Sequence, residues 1–134
     1  MVKLTLDERL SRALDMRRAG ANCSRCVAMA FPDVTDSTVE AEQLGKMAEG
    51  LGGGVGGCGL TCGAITSMVL VDGIARPQGL GKAAVYGRAA ALTMAFEEQN
   101  GATECRRLKG ELKRDCTSLI LNAVTLLHNS LAEE

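Results

Sequence analysis

Residues 50–67 read Gly-Leu-Gly-Gly-Gly-Val-Gly-Gly-Cys-Gly-Leu-Thr-Cys-Gly-Ala-Ile-Thr-Ser. Seven of the ten positions from Gly50 to Gly59 are glycine, and two cysteines stand at the downstream end. So much glycine is costly to order on folding, so the backbone here must take conformations, or approach neighbours, that side chains would forbid. Cys62 is expected where a glycine loop turns into a helix. The segment after it, 63–71, decides the fold class. It is apolar on all sides, so periodicity alone allows a buried helix or a buried strand. Helix is favoured because no other part of the chain offers an alternating pattern that could pair with a strand.

The flanking sequence supports that choice. Thr5-Leu-Asp-Glu8 is a capping box, and Leu6, Leu10, Ala13 and Leu14 recur at helical spacing until Gly20. A short helix from Cys23 to Phe31 should stop at Pro32. Ser37-Thr-Val-Glu40 looks like a second capping box, opening a helix to Glu49 with Val39, Leu44, Met47 and Ala48 on its apolar face. Gly73 to Gly81, which holds Pro77, reads as a turn-rich connector. Lys82 to Glu98 reads as a helix ended by Asn100-Gly101. A short piece over Thr103 to Lys109 carries Cys105, and Thr117 to Leu131 closes the chain as a helix with Cys116 at its start. The expectation is an all-α bundle of five to seven helices with a glycine-rich loop, formed by residues 1–134 as one domain.

Composition narrows the function. Charged residues are 23% of the chain and the net charge is −1, which gives no broad attraction to nucleic acid. Aromatic residues are only 2%, against the stacking platforms of RNA-binding modules. The core must rest on Leu, Val, Ala and Met. The longest apolar run, near Ile65 to Val71, is too short to span a bilayer. No secretory signal is seen in Met1 to Glu8, so a cytoplasmic location is expected.

Six cysteines in such a chain point to metal, redox or catalytic thiols rather than structural disulfides. Cys23 and Cys26 form a Cys-x-x-Cys pair, Cys58 and Cys62 flank the end of the glycine run, and Cys105 and Cys116 are separated by a charged stretch. A Cys62 that caps a helix would face free N–H groups and the positive end of the dipole, which stabilises thiolate. Gly53, Gly54 and Gly63 are candidate N–H donors to bound sulfur. Arg25, Arg106 and Arg107 flank cysteines and are expected to be mostly solvated. Gly54-Val-Gly-Gly-Cys-Gly59 matches G-x-G-x-x-G, but no strand precedes it, so a dinucleotide site is not implied. His128, the single histidine, is expected at the surface of the last helix.

The order Asn22-Cys23, Gly52-Gly-Gly54, Cys62-Gly-Ala64, Gly73, Phe96, Gly101, Cys105 and Cys116 resembles the redox-active family called C_GCAxxG_C_C, over about Leu10 to Leu127. The last glycine of that motif is Ser67 here. The resemblance implies that Cys23, Cys62, Cys105 and Cys116 are the family cysteines and that Cys26 and Cys58 are additions. Two uses of these thiols lead. In the first, the four ligate an iron–sulfur centre, most simply [2Fe–2S], for electron transfer to a redox partner protein. In the second, Cys62 is an attacking thiolate and another cysteine, Cys23 foremost, resolves a disulfide. A structural zinc site and a non-catalytic interaction module are the remaining alternatives. A homodimer is left open.

Overall fold

The computed structural model describes residues 3–34, 39–75 and 81–133. Six α-helices follow one another: α1 (Leu6–Arg18), α2 (Cys23–Ala28), α3 (Ala41–Glu49), α4 (Gly63–Ala75), α5 (Lys82–Asn100) and α6 (Cys116–Ala132). A π-helical turn, Arg107–Glu111, precedes α6. The only pairing of extended backbone among the described residues is an isolated antiparallel bridge between Thr61 and Glu104. The fold class is all-α.

The helices start where capping chemistry allows. Thr5 Oγ1 accepts from the Glu8 amide at 3.1 Å while the Thr5 amide donates to Glu8 Oε1 at 2.9 Å, a reciprocal cap. Asn22 Oδ1 caps α2 by accepting from the Arg25 amide at 3.0 Å. Helix α5 stops at Gly101, which takes φ +98°, a left-handed cap that suits glycine. Segment 63–71 is helical, and its inner side is well covered: Gly63, Ala64, Ile65, Met68 and Val71 are all buried. Small residues at its start let it press against α2, and α6 packs on its other side.

Several expected boundaries differ. Helix α3 begins at Ala41, with Glu40 as its cap and the Glu40 amide donating to Gln43 Oε1 at 3.0 Å. Ser37, the expected cap, lies outside the described residues. Met47 is 62% exposed, so the apolar face of α3 is Leu44, Gly45 and Ala48. Helix α2 ends at Ala28, and Phe31 is fully buried beyond the helix end. Helix α4 runs through Gly73 to Ala75, because one glycine costs a helix only about 1 kcal/mol and Val71 and Asp72 are already packed. Pro77 lies outside the described residues.

One core joins the elements. Ala13 of α1, Val27 and Ala28 of α2, Leu44 of α3, Met68 and Val71 of α4, Phe96 of α5 and Val124 and Leu127 of α6 share it. Arg9 is also fully buried. Its guanidinium forms a two-pronged ion pair with Asp33 (2.7 and 2.9 Å), donates to the Ala30 carbonyl (3.0 Å) and to His128 Nδ1 (2.9 Å), and lies over the Phe31 ring at 4.4 Å. His128 therefore serves α1–α6 packing and takes no place among the thiols.

Candidate thiol site

The glycine run forms a left-handed turn. Gly53, Gly54, Val55, Gly56 and Gly57 have φ values of 66°, 74°, 63°, 59° and 78°. Left-handed backbone costs an L-residue roughly 1–2 kcal/mol, which accounts for four glycines in five positions. The turn binds itself through Gly56 N–H to Gly50 O (2.8 Å), Gly57 N–H to Gly52 O (3.1 Å) and Gly59 N–H to Gly53 O (3.0 Å). Those donors are spent inside the loop and do not reach a ligand. Gly54 locks the turn to the chain that follows. A Cβ there would lie 2.6 Å from the Leu60 carbonyl oxygen.

From this loop the chain passes directly into the Thr61–Glu104 bridge. Cys62 N–H donates to Thr103 O (2.8 Å) and Cys105 N–H donates to Leu60 O (2.7 Å). These two bonds tie the Cys62 segment to the Cys105 segment. Gly63 then lets α2 close in: a Cβ on it would fall 2.8 Å from Cys23 Sγ and 2.9 Å from Leu51 O. The turn at 107–111 sets Lys109 and leads to Cys116 at the start of α6.

The result is a small cavity of about 190 Å³ lined by Arg17, Asn22, Cys23, Gly53, Cys62, Cys105, Lys109, Cys116 and Leu119. Four thiols from four separate segments face it. Cys26 does not; it is fully buried, its thiol 3.6 Å from Ala21 O. Cys58 is exposed and also outside the lining. All six are free thiols. Of the three candidate glycines, Gly53 lines the cavity, Gly63 packs on a sulfur, and Gly54 shapes the loop.

Burial pushes the Cys62 thiol up to about 11, and the neighbouring Cys23 and Cys105 push the same way. The Ala64 and Ile65 amides do point at the sulfur and pull downward, as a helix start should, but they are outweighed. The expected thiolate at a helix cap is therefore a neutral thiol in the metal-free protein. Burial also raises Cys105, and Cys23 and Cys116 add to it. Lys109 supplies the cation. Its hydrogen bond to Cys116, the Cys116 charge and the Cys105 charge raise its pKa above the ordinary lysine value.

Arg25, Arg106 and Arg107 lie elsewhere. Arg25 pairs with Glu42 (2.6 Å) and Glu49 (3.0 Å), Arg106 Nε donates to Gly59 O (3.0 Å), and Arg107 pairs with Glu111 (2.8 Å). Sequence reasoning missed Arg17 and Lys109 as cavity residues. Lys109 had a signal, since it stands four residues after Cys105.

A helical scaffold that turns four free thiols from distant segments into one cavity defines a cysteine-based redox class. A family model described as "Putative redox-active protein (C_GCAxxG_C_C)" matches residues 21–130. The chain belongs to the C_GCAxxG_C_C family, and with that family it takes a redox role. No curated protein and no solved structure matches it. No helix among the described residues is long and apolar enough to cross a membrane.

Proposed function

We propose that the protein transfers electrons through an iron–sulfur cluster held by Cys23, Cys62, Cys105 and Cys116. The observation that carries this reading is that these four thiols ring one cavity of about 190 Å³. That volume is below the ~300 Å³ at which pockets for organic ligands begin. Four thiolates are the ligand set of a [2Fe–2S] cluster. A zinc ion needs all its sulfurs about 2.3 Å from one point. A cluster spreads its iron atoms, so its thiolates surround a volume, which favours a cluster over the zinc alternative.

When bound, the cluster would take up and release one electron without making or breaking a covalent bond. The chain's residues do the rest. Cys62 and its partners lose protons on loading, so loading is favoured as pH rises. Lys109 and Arg17 place positive charge beside a thiolate set that is negative overall, which stabilises the reduced state. Leu119 and Gly53 complete the lining. The electron enters from a donor protein and leaves to an acceptor protein.

The second reading, dithiol–disulfide exchange, draws on a specific observation: Lys109 sits on Cys116 within one free-thiol cavity. In that reading one thiol of the cavity attacks a substrate disulfide and a neighbouring thiol resolves the mixed disulfide, leaving the substrate reduced and the thiol pair oxidised.

One experiment separates the two. Protein purified without air and reconstituted with ferrous iron and sulfide should be brown, with about two iron and two sulfide per chain and a visible band that bleaches on reduction. Colourless, iron-free protein after that treatment overturns the cluster. If the same sample forms an intramolecular disulfide under mild oxidant, dithiol exchange takes its place.

A further inference from the structure

Helix α5 is packed on one side and apolar on both. Its inner side sets Leu92, Phe96 and Asn100 into the interior, and its neighbours are α4 and α6. The opposite side carries Ala83, Tyr86, Gly87, Ala90, Met94 and Glu97, all exposed, with Tyr86 and Met94 each 65% accessible. At about 100° per residue these six fall within one face, with Ala90 at its centre. A solvated helix side normally carries charge there.

The order of residues along that face gives the occupant. Positions 83, 90 and 97 repeat at seven, as do 86 and 93, and 87 and 94: the spacing of a helix-pairing seam. The face begins at Lys82, whose Nζ lies 6.0 Å over the Tyr86 ring, and ends at Glu97 and Glu98. A second α5 laid antiparallel, with a two-fold axis at Ala90, places Lys82 beside the partner's Glu97 at both ends, with the partner's Glu98 at the same level on the far edge. It lowers Met94 onto the partner's Gly87 and Ala83, where small residues leave room, and sets Ala90 against the partner's Ala90. A parallel pairing would instead bring Lys82 against the partner's Lys82 and acid against acid. The helix is complementary to itself in one direction only, as a two-fold interface requires.

We infer that this face is a homodimer interface, formed by antiparallel pairing of α5 about Ala90. It is independent of what the thiols hold, because none of its residues lines the cavity.

The test is sedimentation of the full chain with variants at exposed positions. Wild-type protein at about 100 μM should be dimeric, as a modest interface permits. Ala90→Arg should give a monomer with unchanged helix content and melting temperature. Lys82→Glu alone, and Glu97→Lys with Glu98→Lys, should each weaken the dimer about tenfold, because each repeats a like-charge clash at two ends. An equimolar mixture of the two charge variants should recover wild-type affinity as a heterodimer. Protein that is monomeric at every concentration overturns the inference and leaves the face to a different protein. A dimer indifferent to Ala90→Arg, or charge variants that fail to rescue each other, overturns it as well.

Discussion

Helices α1 and α6 pack together and carry two buried ionisable regions. At one stretch Arg9 of α1 meets His128 of α6. Eight residues on, about 12 Å along α1, Arg17 lines the cavity with Cys116 and Leu119 of α6. The two regions are built oppositely. Arg9 has a partner in every direction: a carboxylate, a carbonyl, an imidazole and a ring. The thiols instead stand around a space, Cys62 buried and Cys23, Cys105 and Cys116 half-buried. A buried charge whose three nitrogens are all hydrogen-bonded fixes a packing. Thiols left around a cavity cost little in themselves, since thiols pack as small hydrophobes, and they remain free for another group. The contrast separates residues that hold the fold from residues held by it.

The largest effect that tests this contrast is on the thiol side. Cys62→Ala should abolish the iron content and visible absorption of reconstituted protein, while the melting temperature of the metal-free form falls by only a few degrees. Cys58→Ala should change neither, because Cys58 is exposed and outside the cavity. Loss of folding in Cys62→Ala, measured by circular dichroism, would erase the distinction between the two regions.

Arg9 should behave in reverse. Arg9→Met leaves Asp33 without its partner and should cost about 3–5 kcal/mol in urea unfolding, with iron loading intact in whatever remains folded. Adding Asp33→Leu should recover most of that loss, because an apolar pair can replace a buried ion pair. If the double variant is no better than the single, the region does more than hold packing.

Titration sharpens the comparison, because the two regions fail at opposite ends of the pH scale. Cys62 and Cys26 both rise to about 11, chiefly through burial. A thiol raised by folding is harder to ionise when native than when unfolded, so its contribution is complete below the unfolded value near 9. It is lost as pH climbs to about 11. The metal-free protein should lose roughly 2–3 kcal/mol per thiol across that window, and reconstituted protein should keep the Cys62 share. Asp33 runs the other way. Burial alone would raise it, but the Arg9 hydrogen bond, the Leu4 amide and the Arg9 charge hold it at about 2. That stability is present above the unfolded value near 4 and disappears as pH falls to about 2, a loss of about 2 kcal/mol. His128, lowered by burial and by Arg9, adds stability while neutral and gives it up as it is protonated. Denaturant midpoints at stepped pH values would show both flanks.

Much of this division was legible in the residues and some was not. Local rules found the helices: capping at Thr5 and Asn22, the glycine stop at 101, and the lack of any strand partner for 63–71. They misplaced the start of α3 and the end of α4, where packing of Leu44 and of Val71 and Asp72 overrode turn and cap signals. The density of glycine from 50 to 59 announced special backbone. It did not reveal that five successive residues turn with the same hand, with Val55 among them, or that the Gly56, Gly57 and Gly59 amides bond back into the turn. The Arg9 region was invisible because its partners are 24 and 119 positions away. A helix start at Cys62 was readable, but its pKa was not, since burial belongs to the whole fold and it outweighed the two amides.

The finest distinction concerns the one cation that bridges the two logics. Lys109 is exposed along most of its length, yet it lines the cavity and hydrogen-bonds to Cys116. If it belonged to the packing, Lys109→Gln would lower stability and leave the electron affinity alone. If it serves the site, the reverse holds. Removing one positive charge beside a reducible group disfavours the extra electron, so the midpoint potential should fall, by roughly 30 mV once solvent screening is allowed for. Lys109→Arg keeps the charge and should stay close to wild type, while urea midpoints of both variants stay within about 0.5 kcal/mol. A potential that ignores the charge in both variants would return Lys109 to the solvated surface and leave the tuning to Arg17 and the buried backbone.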